Sequence, residues 1–284
     1  MADKNTVFQQ KLSLNLRGIL MDLSKPRIMG ILNLTPDSFY DGGRNNDSRS
    51  ALNKAELMLT ESADILDLGA YSSRPGADHI SEVEELERLI PIVKAIVKEF
   101  PDAVLSIDTF RSEVAKAAIN EGAHIINDIS AGEMDKAMFE TVAALRVPYI
   151  LMHMRGTPQT MTGLTEYNDL ITDVCYYFAA KIDQLKQLDV KDLIVDPGFG
   201  FAKTPEQSFE LLKNLDYLKI TGHPILAGLS RKSMIYKTLG TDADNALNGT
   251  IAANTIALMK GANILRVHDV KAAKEAIMIF EKVG

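Results

Sequence analysis

The sequence predicts an α/β fold, a (β/α)8 TIM barrel, from the alternation of two kinds of segment. Eight short apolar runs, each hydrophobic for about five residues, alternate with longer helical patterns from about residue 27 to the end. Continuous apolar runs are typical of strands buried on both faces of a parallel sheet. Eight strands, each followed by a helix, is the count that closes this barrel.

The eight runs predict strands at 27–34, 64–70, 103–109, 124–130, 148–154, 193–198, 224–230 and 263–269. Helical patterns include 81–99, 111–121, 166–188, 246–260 and 270–282. Ser81 with Glu84, and "TPEQ" at 204–207, are typical N-terminal capping patterns, and Pro91 is expected to kink or break its helix. A doubly wound sheet is the alternative, but no G-x-G-x-x-G opens a helix here.

Residues 8–23 lie outside this repeat. Their segment "KLSLNLRGILMDL" alternates apolar and polar residues around Arg17-Gly18, which predicts a β-hairpin. We expect the hairpin to cover the bottom of the barrel, at the N-terminal ends of the strands. No low-complexity tract or linker divides the chain, so a single domain over residues 1–284 is expected.

Composition and charge narrow the class of protein. A formal charge of −7 and a pI near 5.3 argue against a general nucleic-acid binder and against a membrane-surface protein. The first residues lack the apolar stretch of a signal peptide, and no apolar run reaches transmembrane length, so a cytoplasmic protein is expected. Cys175 is the one cysteine, which excludes an intrachain disulfide and a cysteine-based zinc site.

Polar side chains stand at the carboxyl ends of the predicted strands, where barrel enzymes build their active sites. These residues are Asn33, Asp67, Asp108, Asn127, His153, Asp196, Ser230, Arg266 and His268. A single Asp or Asn at a strand end is explained by a turn or a helix cap. That explanation does not cover an amide, carboxylate or cation on seven of the eight strands, so we expect an active site at this end.

Two of these strand ends constrain the site further. Thr109 is expected to cap the helix from 111, which leaves the Asp108 carboxylate without a structural role. Only one of Asn127 and Asp128 can point into the mouth of the barrel, because successive strand residues face opposite ways.

The cations in the same positions favour an anionic ligand. Arg266 and His268 share one face of their strand, which suits a phosphate or a carboxylate. The alternative is that Arg266 pairs with a neighbouring aspartate and His268 is a core residue. Other basic residues just beyond strand ends are expected to line one rim of the mouth and to favour a phosphorylated substrate; they are Arg74, Lys203, Arg231 and Lys232.

The stretch "DPGFGF" at 196–201 indicates a flat heterocyclic ligand. The Asp196 carboxylate can accept two hydrogen bonds from adjacent N–H donors, and the glycines allow the backbone to approach a ligand. Met152 and Phe201 would then pack against the ring. Core packing is the alternative explanation for these two side chains.

Read together, the motifs resemble those of the dihydropteroate synthase family. In chain order they are "MGILNLTPDSFYDGG", "SSRPGA", "SIDTFR", "GAHIINDISAG", "MHMRGTPQTM", "DPGFGFAKT", "LSRKSMI" and "RVHDV". The likeness runs from about residue 11 to the C-terminus. One departure is Tyr71, in "GAYSSRPG", where the family commonly has an acidic residue, so no role of that residue is transferred.

The resemblance implies a (β/α)8 barrel that transfers a pterinylmethyl group in folate biosynthesis. The family condenses 6-hydroxymethyl-7,8-dihydropterin diphosphate with 4-aminobenzoate, giving 7,8-dihydropteroate and diphosphate, and sulfonamides suppress the product. A pterin carbocation, formed as diphosphate departs with Mg2+, is the expected intermediate. The expected partners are the two small-molecule substrates, with no nucleic acid and no membrane, and a homodimer is expected.

The resemblance also implies roles for individual residues. The pterin would be bound by Asp108, Asn127, Met152, Asp196, Phe201 and Lys232. The diphosphate would be bound by Asn33, Ser73, Arg266 and His268, with Asn33 also a ligand of Mg2+. The aminobenzoate pocket would be bordered by Phe39, Pro75, Lys232 and Ser233. Catalytic roles are expected for Asp41, Arg74, Lys232, Arg266 and His268, with Asp41 and Arg74 on two mobile loops.

Three other functions are compatible with parts of the pattern. Pterin-dependent methyltransferases share the barrel and the pterin contacts, but they have no need for the Arg266/His268 pair. A non-catalytic pterin-binding paralogue would be expected to lack Asn33, Lys232 or Arg266, and all three are present. A barrel enzyme acting on an unrelated phosphorylated substrate would explain the basic rim but not the order of the motifs.

Overall fold

The computed structural model of the protein describes residues 10–34, 44–71 and 80–283. An N-terminal hairpin is formed by β1 (Ser13–Leu16) and β2 (Ile19–Asp22). Arg17 and Gly18 connect the two strands with φ angles of 55° and 99°, as a two-residue type I′ turn requires. The predicted hairpin is therefore confirmed.

Eight parallel strands follow and form the barrel. They are β3 (Arg27–Asn33), β4 (Ile65–Gly69), β5 (Leu105–Asp108), β6 (Ile125–Asp128), β7 (Tyr149–Met152), β8 (Leu193–Asp196), β9 (Leu226–Ala227) and β10 (Ile264–Val267). The order of neighbours is β8-β7-β6-β5-β4-β3-β10-β9. A bridge between Val195 and Ile225 joins the first and last members, and the Val195 N–H donates to Pro224 O at 2.9 Å. The sheet closes, which confirms the predicted (β/α)8 barrel.

Helices connect the strands on the outside of the barrel. They are α1 (Arg44–Thr60), α2 (Glu82–Glu99), α3 (Ser112–Asn120), α4 (Met138–Leu145), α5 (Leu170–Gln187), α6 (Pro205–Lys213), α7 (Ser233–Thr238), α8 (Leu247–Met259) and α9 (Val270–Val283). Within the described ranges, no helix combines the length and the apolar character needed to cross a bilayer. The Thr204 hydroxyl and the Gln207 side chain form the predicted capping box of α6.

The structure excludes one of the two outcomes predicted for Pro91, and it contradicts the predicted cap of α3. Helix α2 does not break at Pro91, whose ring is on the exposed side of the helix. Thr109 is not the N-cap of α3, because the helix begins at Ser112 and Arg111 takes the cap position. The Thr109 hydroxyl accepts from the Arg111 N–H at 3.2 Å and donates to the buried Glu85 carboxylate at 2.6 Å. The Ser112 N–H at the start of α3 is instead bonded to Asp135 Oδ2 at 2.7 Å. This acceptor comes from the next βα loop, so the local sequence pattern does not reveal it.

The bottom of the barrel is an apolar layer closed by the hairpin. Leu14 and Leu16 of β1, with Leu23, are buried against one inward residue from nearly every strand. These inward residues are Met29, Ile65, Ile125, Ile150, Ile194, Leu226 and Ile264. The residues between them in sequence face outward and pack under the helices. The hairpin therefore covers the N-terminal end of the barrel, as expected.

Candidate active site

Most of the inward-facing residues are polar two positions after the apolar bottom layer. Because side chains on one face of a strand recur every second residue, this second layer can be read from the first. It contains Asp67, Ser106, Asn127, Met152, Asp196 and Arg266. Above it, Asn33 and Asp108 end their strands and His268 follows β10. The strands thus place most of the predicted polar residues at the mouth. The prediction is wrong for His153, which follows Met152 on the opposite face of the strand, with its ring Nδ1 2.8 Å from Lys203 Nζ.

Arg266 is the centre of a charged cluster formed from three strands. Its Nε donates to Asp67 Oδ2 at 2.6 Å, and its Nη2 donates to Asp108 Oδ2 at 2.6 Å. Asn127 Nδ2 donates to the same Asp67 oxygen at 3.1 Å. Since the carboxylate accepts from Nδ2, the amide oxygen of Asn127 remains the acceptor that this residue offers to a ligand. Asp128 faces outward and accepts from the Tyr149 hydroxyl at 2.7 Å.

The two alternatives for Arg266 were binding of an anion and pairing with an aspartate, and the cluster is compatible with both. The residue pairs with aspartates, as the structural alternative expected, yet a guanidinium has five N–H donors and these bonds use two of them. Donors therefore remain for an anion at the mouth. The position of Asp67 at a strand end does not reveal its role, because its partner Arg266 lies 199 residues away in the chain. Asp67 is the main site residue that sequence reasoning missed.

Burial makes the carboxylates of the cluster unusual. It raises the pKa of Asp108 to about 7, although the neighbouring Arg266 favours the ionised form. Asp67 Oδ1 is buried, and no described residue forms a hydrogen bond with it. A buried polar atom without a hydrogen bond lowers the stability of the fold, so packing alone does not explain why these charges lie here.

A second group of residues at the mouth, which we call the mouth slot, consists of Asn127, Met152, Asp196, Phe201 and Lys232. The Lys232 ammonium donates to the Phe199 carbonyl oxygen and lies 4.8 Å from the centre of the Phe201 ring. Asp196 Oδ1 accepts from the Gly198 N–H at 2.8 Å. The slot therefore combines an anion and an aromatic ring from the segment 196–201 with a cation from the loop after β9.

Desolvation changes both charges of the mouth slot. It lowers the pKa of Lys232 to about 8, against the attraction of Asp196. It raises the pKa of Asp196, with Lys232 as the largest opposing influence. Met152 and Phe201 pack with other apolar side chains of the mouth, namely Tyr71, Ile80, Phe110, Ile129, Met134, Met154, Met161 and Ala202. The slot thus combines apolar packing with two desolvated charges of opposite sign.

His268 is held by Ser230. The Ser230 Oγ accepts from the His268 backbone N–H at 3.2 Å and lies 3.0 Å from the ring Nδ1. A serine hydroxyl that donates to Nδ1 favours the tautomer with the proton on Nε2, which makes Nε2 a hydrogen-bond donor. Ser233 is the first residue of α7 and directly follows Lys232.

Two cations expected on the rim are placed elsewhere, so that prediction is wrong for them. Lys203 is buried, with its ammonium hydrogen-bonded inside the loop that follows β8. Arg231 forms a two-bond ion pair with Asp269 at 2.9 and 2.8 Å. Both positions follow strand ends as expected, but partners distant in sequence determine where the charges lie.

Some predicted site residues lie outside the described residues. They are Phe39 and Asp41 in the first loop and Ser73, Arg74 and Pro75 in the second. Tyr71, at the start of the second loop, is described and buried. Its ring packs edge-on against Phe110 at 5.1 Å, and its hydroxyl accepts from Gln159 Nε2 at 3.0 Å. The departure from the family pattern therefore serves packing at the edge of the mouth.

The mouth also offers ligands that fit Mg2+. Among the described residues, no group of three or more His, Cys, Asp or Glu side chains is arranged to hold a metal ion. Asn33 ends β3 on the same face as Met29 and is partly exposed. A single amide oxygen fits a Mg2+ ion that binds together with substrate phosphates, because Mg2+ often takes only one or two protein ligands and keeps water or phosphate for the rest.

The fold is a (β/α)8 barrel whose mouth carries charged and aromatic side chains, and comparison with known proteins gives its class. The family model described as "Pterin binding enzyme" matches residues 29–268. A dihydropteroate synthase of Escherichia coli (strain K12) is 43% identical over 267 residues, which cover 93% of this chain and 94% of the relative. The chain belongs to the dihydropteroate synthase family.

Solved structures agree with this assignment. A Yersinia pestis dihydropteroate synthase in complex with a sulfonamide drug superposes with a TM-score of 0.90 at 41% identity, covering 95% of this chain and 98% of that one. A Xanthomonas albilineans dihydropteroate synthase with 4-aminobenzoic acid gives a TM-score of 0.89 at 38% identity, covering 96% and 98%.

Proposed function

We propose that the chain condenses 6-hydroxymethyl-7,8-dihydropterin diphosphate with 4-aminobenzoate to form 7,8-dihydropteroate and diphosphate. The observation that carries the proposal is the Arg266 cluster beside the mouth slot, in a chain that resembles dihydropteroate synthases over almost its whole length. The neighbour from Xanthomonas albilineans holds 4-aminobenzoic acid, which supports the second substrate. The protein would thus be a transferase of folate biosynthesis.

The mouth slot would bind the pterin ring. Asp196 would accept hydrogen bonds from adjacent ring N–H groups, and Asn127 would present its amide oxygen. Asp108 and Lys232 would complete the polar contacts, while Met152 and Phe201 would pack against the ring faces. Lys232 donates one hydrogen bond to the Phe199 carbonyl oxygen, and its other N–H donors would be available to an oxygen or nitrogen of the pterin.

The diphosphate would lie above the ring, at the upper layer of the mouth. Arg266 would use its remaining N–H donors, and His268 would donate from Nε2. Asn33 would bind Mg2+ together with the diphosphate, and Ser73 of the second loop would add a hydroxyl. When bound, Mg2+ would neutralise negative charge on the leaving group.

The reaction would begin with cleavage of the carbon–oxygen bond at the exocyclic CH2, with the electron pair leaving on diphosphate. Arg266 and His268 would stabilise the charge that develops there, and a preorganised donor of this kind contributes roughly 3–4 kcal/mol. Asp196 and Asp108 would stabilise the pterin carbocation. The arylamine nitrogen would then form the new carbon–nitrogen bond and release a proton to water.

The aminobenzoate would approach between Lys232, Ser233 and the two loops. The neutral arylamine needs no strong base, so the loops would mainly exclude water, which competes for the carbocation. Phe39 and Pro75 would border this pocket, and Asp41 and Arg74 would close over the reacting groups.

We also propose a homodimer and a cytoplasmic location. Helices α8 and α9 pack together and carry exposed apolar side chains, which include Ile256, Met259, Met278 and Ile279. Such a surface suits contact with a second copy. The cytoplasmic location rests on the acidic composition and the single cysteine.

A product assay tests the proposed reaction. The purified chain is incubated with the pterin diphosphate, Mg2+ and 4-aminobenzoate, and dihydropteroate and diphosphate are quantified by chromatography. Product should require all three additions and should decrease when a sulfonamide is added. The matched variant Asp196→Asn keeps the size of the side chain but loses its charge, and it should weaken pterin binding. Absence of product from the wild-type chain would refute the proposal.

A further inference from the structure

The buried ammonium of Lys203 is not used by the proposed reaction. Lys203 lies just before α6 and is only 6% exposed. Its Nζ lies 2.8 Å from His153 Nδ1, 3.0 Å from Phe201 O and 3.1 Å from Gly198 O, with His153 O at 3.5 Å. An ammonium has three N–H donors, so the three short contacts satisfy it fully. The ammonium therefore connects the loop 197–203, through Gly198 and Phe201, to His153 at the end of β7.

The loop that it holds has a backbone conformation that needs support. Gly198 has φ +68°, and a Cβ there would lie 2.2 Å from His153 O, so the loop is in direct contact with β7. Ala202 has φ +49°, a left-handed conformation that is uncommon for residues other than glycine. The Tyr167 hydroxyl donates to Ala202 O at 2.8 Å. Contacts with Lys203 and Tyr167 thus stabilise a conformation that the segment would not favour by itself.

The same loop determines the geometry of the mouth slot. The Gly198 N–H donates to Asp196, and the Phe199 carbonyl accepts from Lys232. The Phe201 ring packs beside the Lys232 ammonium. A change in the loop backbone would therefore alter the anionic, cationic and aromatic parts of the slot together.

We propose that Lys203 and His153 form a positioning pair for pterin recognition. The ammonium holds the loop 197–203 from behind, and it thereby orients Asp196 and Phe201 toward the pterin ring. This inference rests on the proposed function, because it names the support on which the pterin slot of that function depends.

The environment of the pair fixes the imidazole as the acceptor, although burial also lowers the pKa of Lys203 to about 7, against the attraction of Asp196. Burial lowers the pKa of His153 to about 2, with Lys203 and Arg155 acting in the same direction, so the imidazole is neutral and accepts at Nδ1. The ring is also enclosed by Tyr177, whose ring centre lies 4.8 Å away. The imidazole therefore acts as a fixed acceptor for Lys203.

Binding of the pterin ring alone tests the pair. The probe is 6-hydroxymethylpterin, which carries no diphosphate, and its dissociation constant is measured by isothermal titration calorimetry. Lys203→Met keeps the chain length but removes the charge, and we expect a dissociation constant at least tenfold higher. The KM for the pterin diphosphate should rise in parallel, while the KM for 4-aminobenzoate stays within about threefold of the wild-type value.

Two further comparisons separate positioning from general stability. Lys181→Met is the matched control, because Lys181 is also buried but pairs with Glu133 on the outside of the barrel. It should lower Tm and leave pterin binding unchanged. His153→Leu should weaken pterin binding as Lys203→Met does, whereas His153→Asn keeps an acceptor near the Nδ1 position and should restore binding to within about threefold.

The possible outcomes separate failure of the positioning inference from failure of the proposed function. Unchanged pterin binding in a folded Lys203→Met variant would overturn the inference, and so would equal rises in the KM of both substrates. If Lys203→Met does not fold, equal binding by His153→Leu and His153→Asn would overturn it. A wild-type chain that binds the ring but makes no dihydropteroate would refute the proposed function while leaving the binding comparison valid. A wild-type chain that does not bind the ring would refute both.

Discussion

The bottom and the mouth of the barrel are built from the same strands, two residues apart, and they differ in kind. At the bottom, Ile65 and Ile264 are fully buried in a layer closed by the leucines of the hairpin. Two residues further along the same strands are Asp67 and Arg266, which form an ion pair. The lower layer gains free energy from apolar burial, whereas the upper layer holds charges whose desolvation must be compensated.

This difference separates stability from chemistry within one closed sheet. A change of side-chain shape in the bottom layer should weaken its packing, because the layer consists of buried apolar side chains. The mouth layer holds a buried Asp67 oxygen to which none of the described residues donates, and carboxylates with raised pKa values. We therefore expect changes at the bottom to act on unfolding and changes at the mouth to act on turnover.

The largest expected effect is at the mouth. Arg266→Ala should lower kcat/KM by roughly 10³-fold, about 4 kcal/mol, because it removes a donor to the leaving group. It also leaves Asp67 and Asp108 without their cation, so the Tm should fall. The measurement is steady-state kinetics with both substrates. Arg27→Ala is the matched control, since Arg27 pairs with Asp64 at 2.9 Å near the bottom, and it should change kcat/KM less than threefold.

The second effect is at the bottom and should reverse this pattern. Ile194→Ala removes a fully buried side chain and should lower the free energy of unfolding by about 3 kcal/mol. The kcat/KM of the folded fraction should stay within about threefold of the wild-type value. Urea unfolding followed by circular dichroism measures the first quantity. A tenfold loss of activity in the folded protein would show that the two layers are coupled.

The third effect depends on pH. Burial lowers the pKa of Lys232 to about 8, so the ammonium is present below this pH and is lost above it. The kcat/KM should therefore fall by about tenfold per pH unit above 8, about 1.4 kcal/mol for each unit. In Lys232→Arg the cation persists, and this alkaline limb should move to higher pH. An identical limb in both proteins would contradict the assignment.

The smallest effect concerns a helix cap beside the mouth but outside its cluster. Asp169 accepts from the Thr172 N–H at 2.8 Å at the start of α5. Asp169→Ala should lower the free energy of unfolding by about 1 kcal/mol and leave kcat/KM unchanged. Thermal unfolding and kinetics measure the two quantities. A loss of both kcat/KM and stability in Asp169→Ala would contradict the distinction between the two layers, because Asp169 lies near the mouth but outside the charged cluster.

Much of the architecture could be predicted because it depends on local patterns. The continuous apolar runs and the alternation around Arg17-Gly18 predicted the strands and the hairpin. The polar strand ends predicted the position of the site, because parallel strands end at one side of a barrel. The boundaries of the strands follow less directly from the apolar runs. The run 224–230 predicts a strand of seven residues, whereas the strand observed there is Leu226–Ala227.

The partners of the site could not be predicted, since they depend on contacts between distant segments. The sequence does not show that Asp67 and Asp108 share Arg266, because the residues meet only across the closed barrel. For the same reason Lys203 was assigned to the rim, whereas His153 and the loop carbonyls hold it inside. The two-residue alternation in a strand predicts the face on which a side chain lies, but it does not predict the charged residue with which that side chain pairs.

The Arg266 cluster also has a consequence for the order in which the protein folds. Arg266 lies on the last strand, 199 residues after Asp67 and 158 residues after Asp108. Contacts over such separations form late, because the loops that they close are long. During synthesis, the early strands therefore carry two neighbouring carboxylates whose cation has not yet been made. The substrate site and the closed barrel are completed in the same step, when the last strand docks.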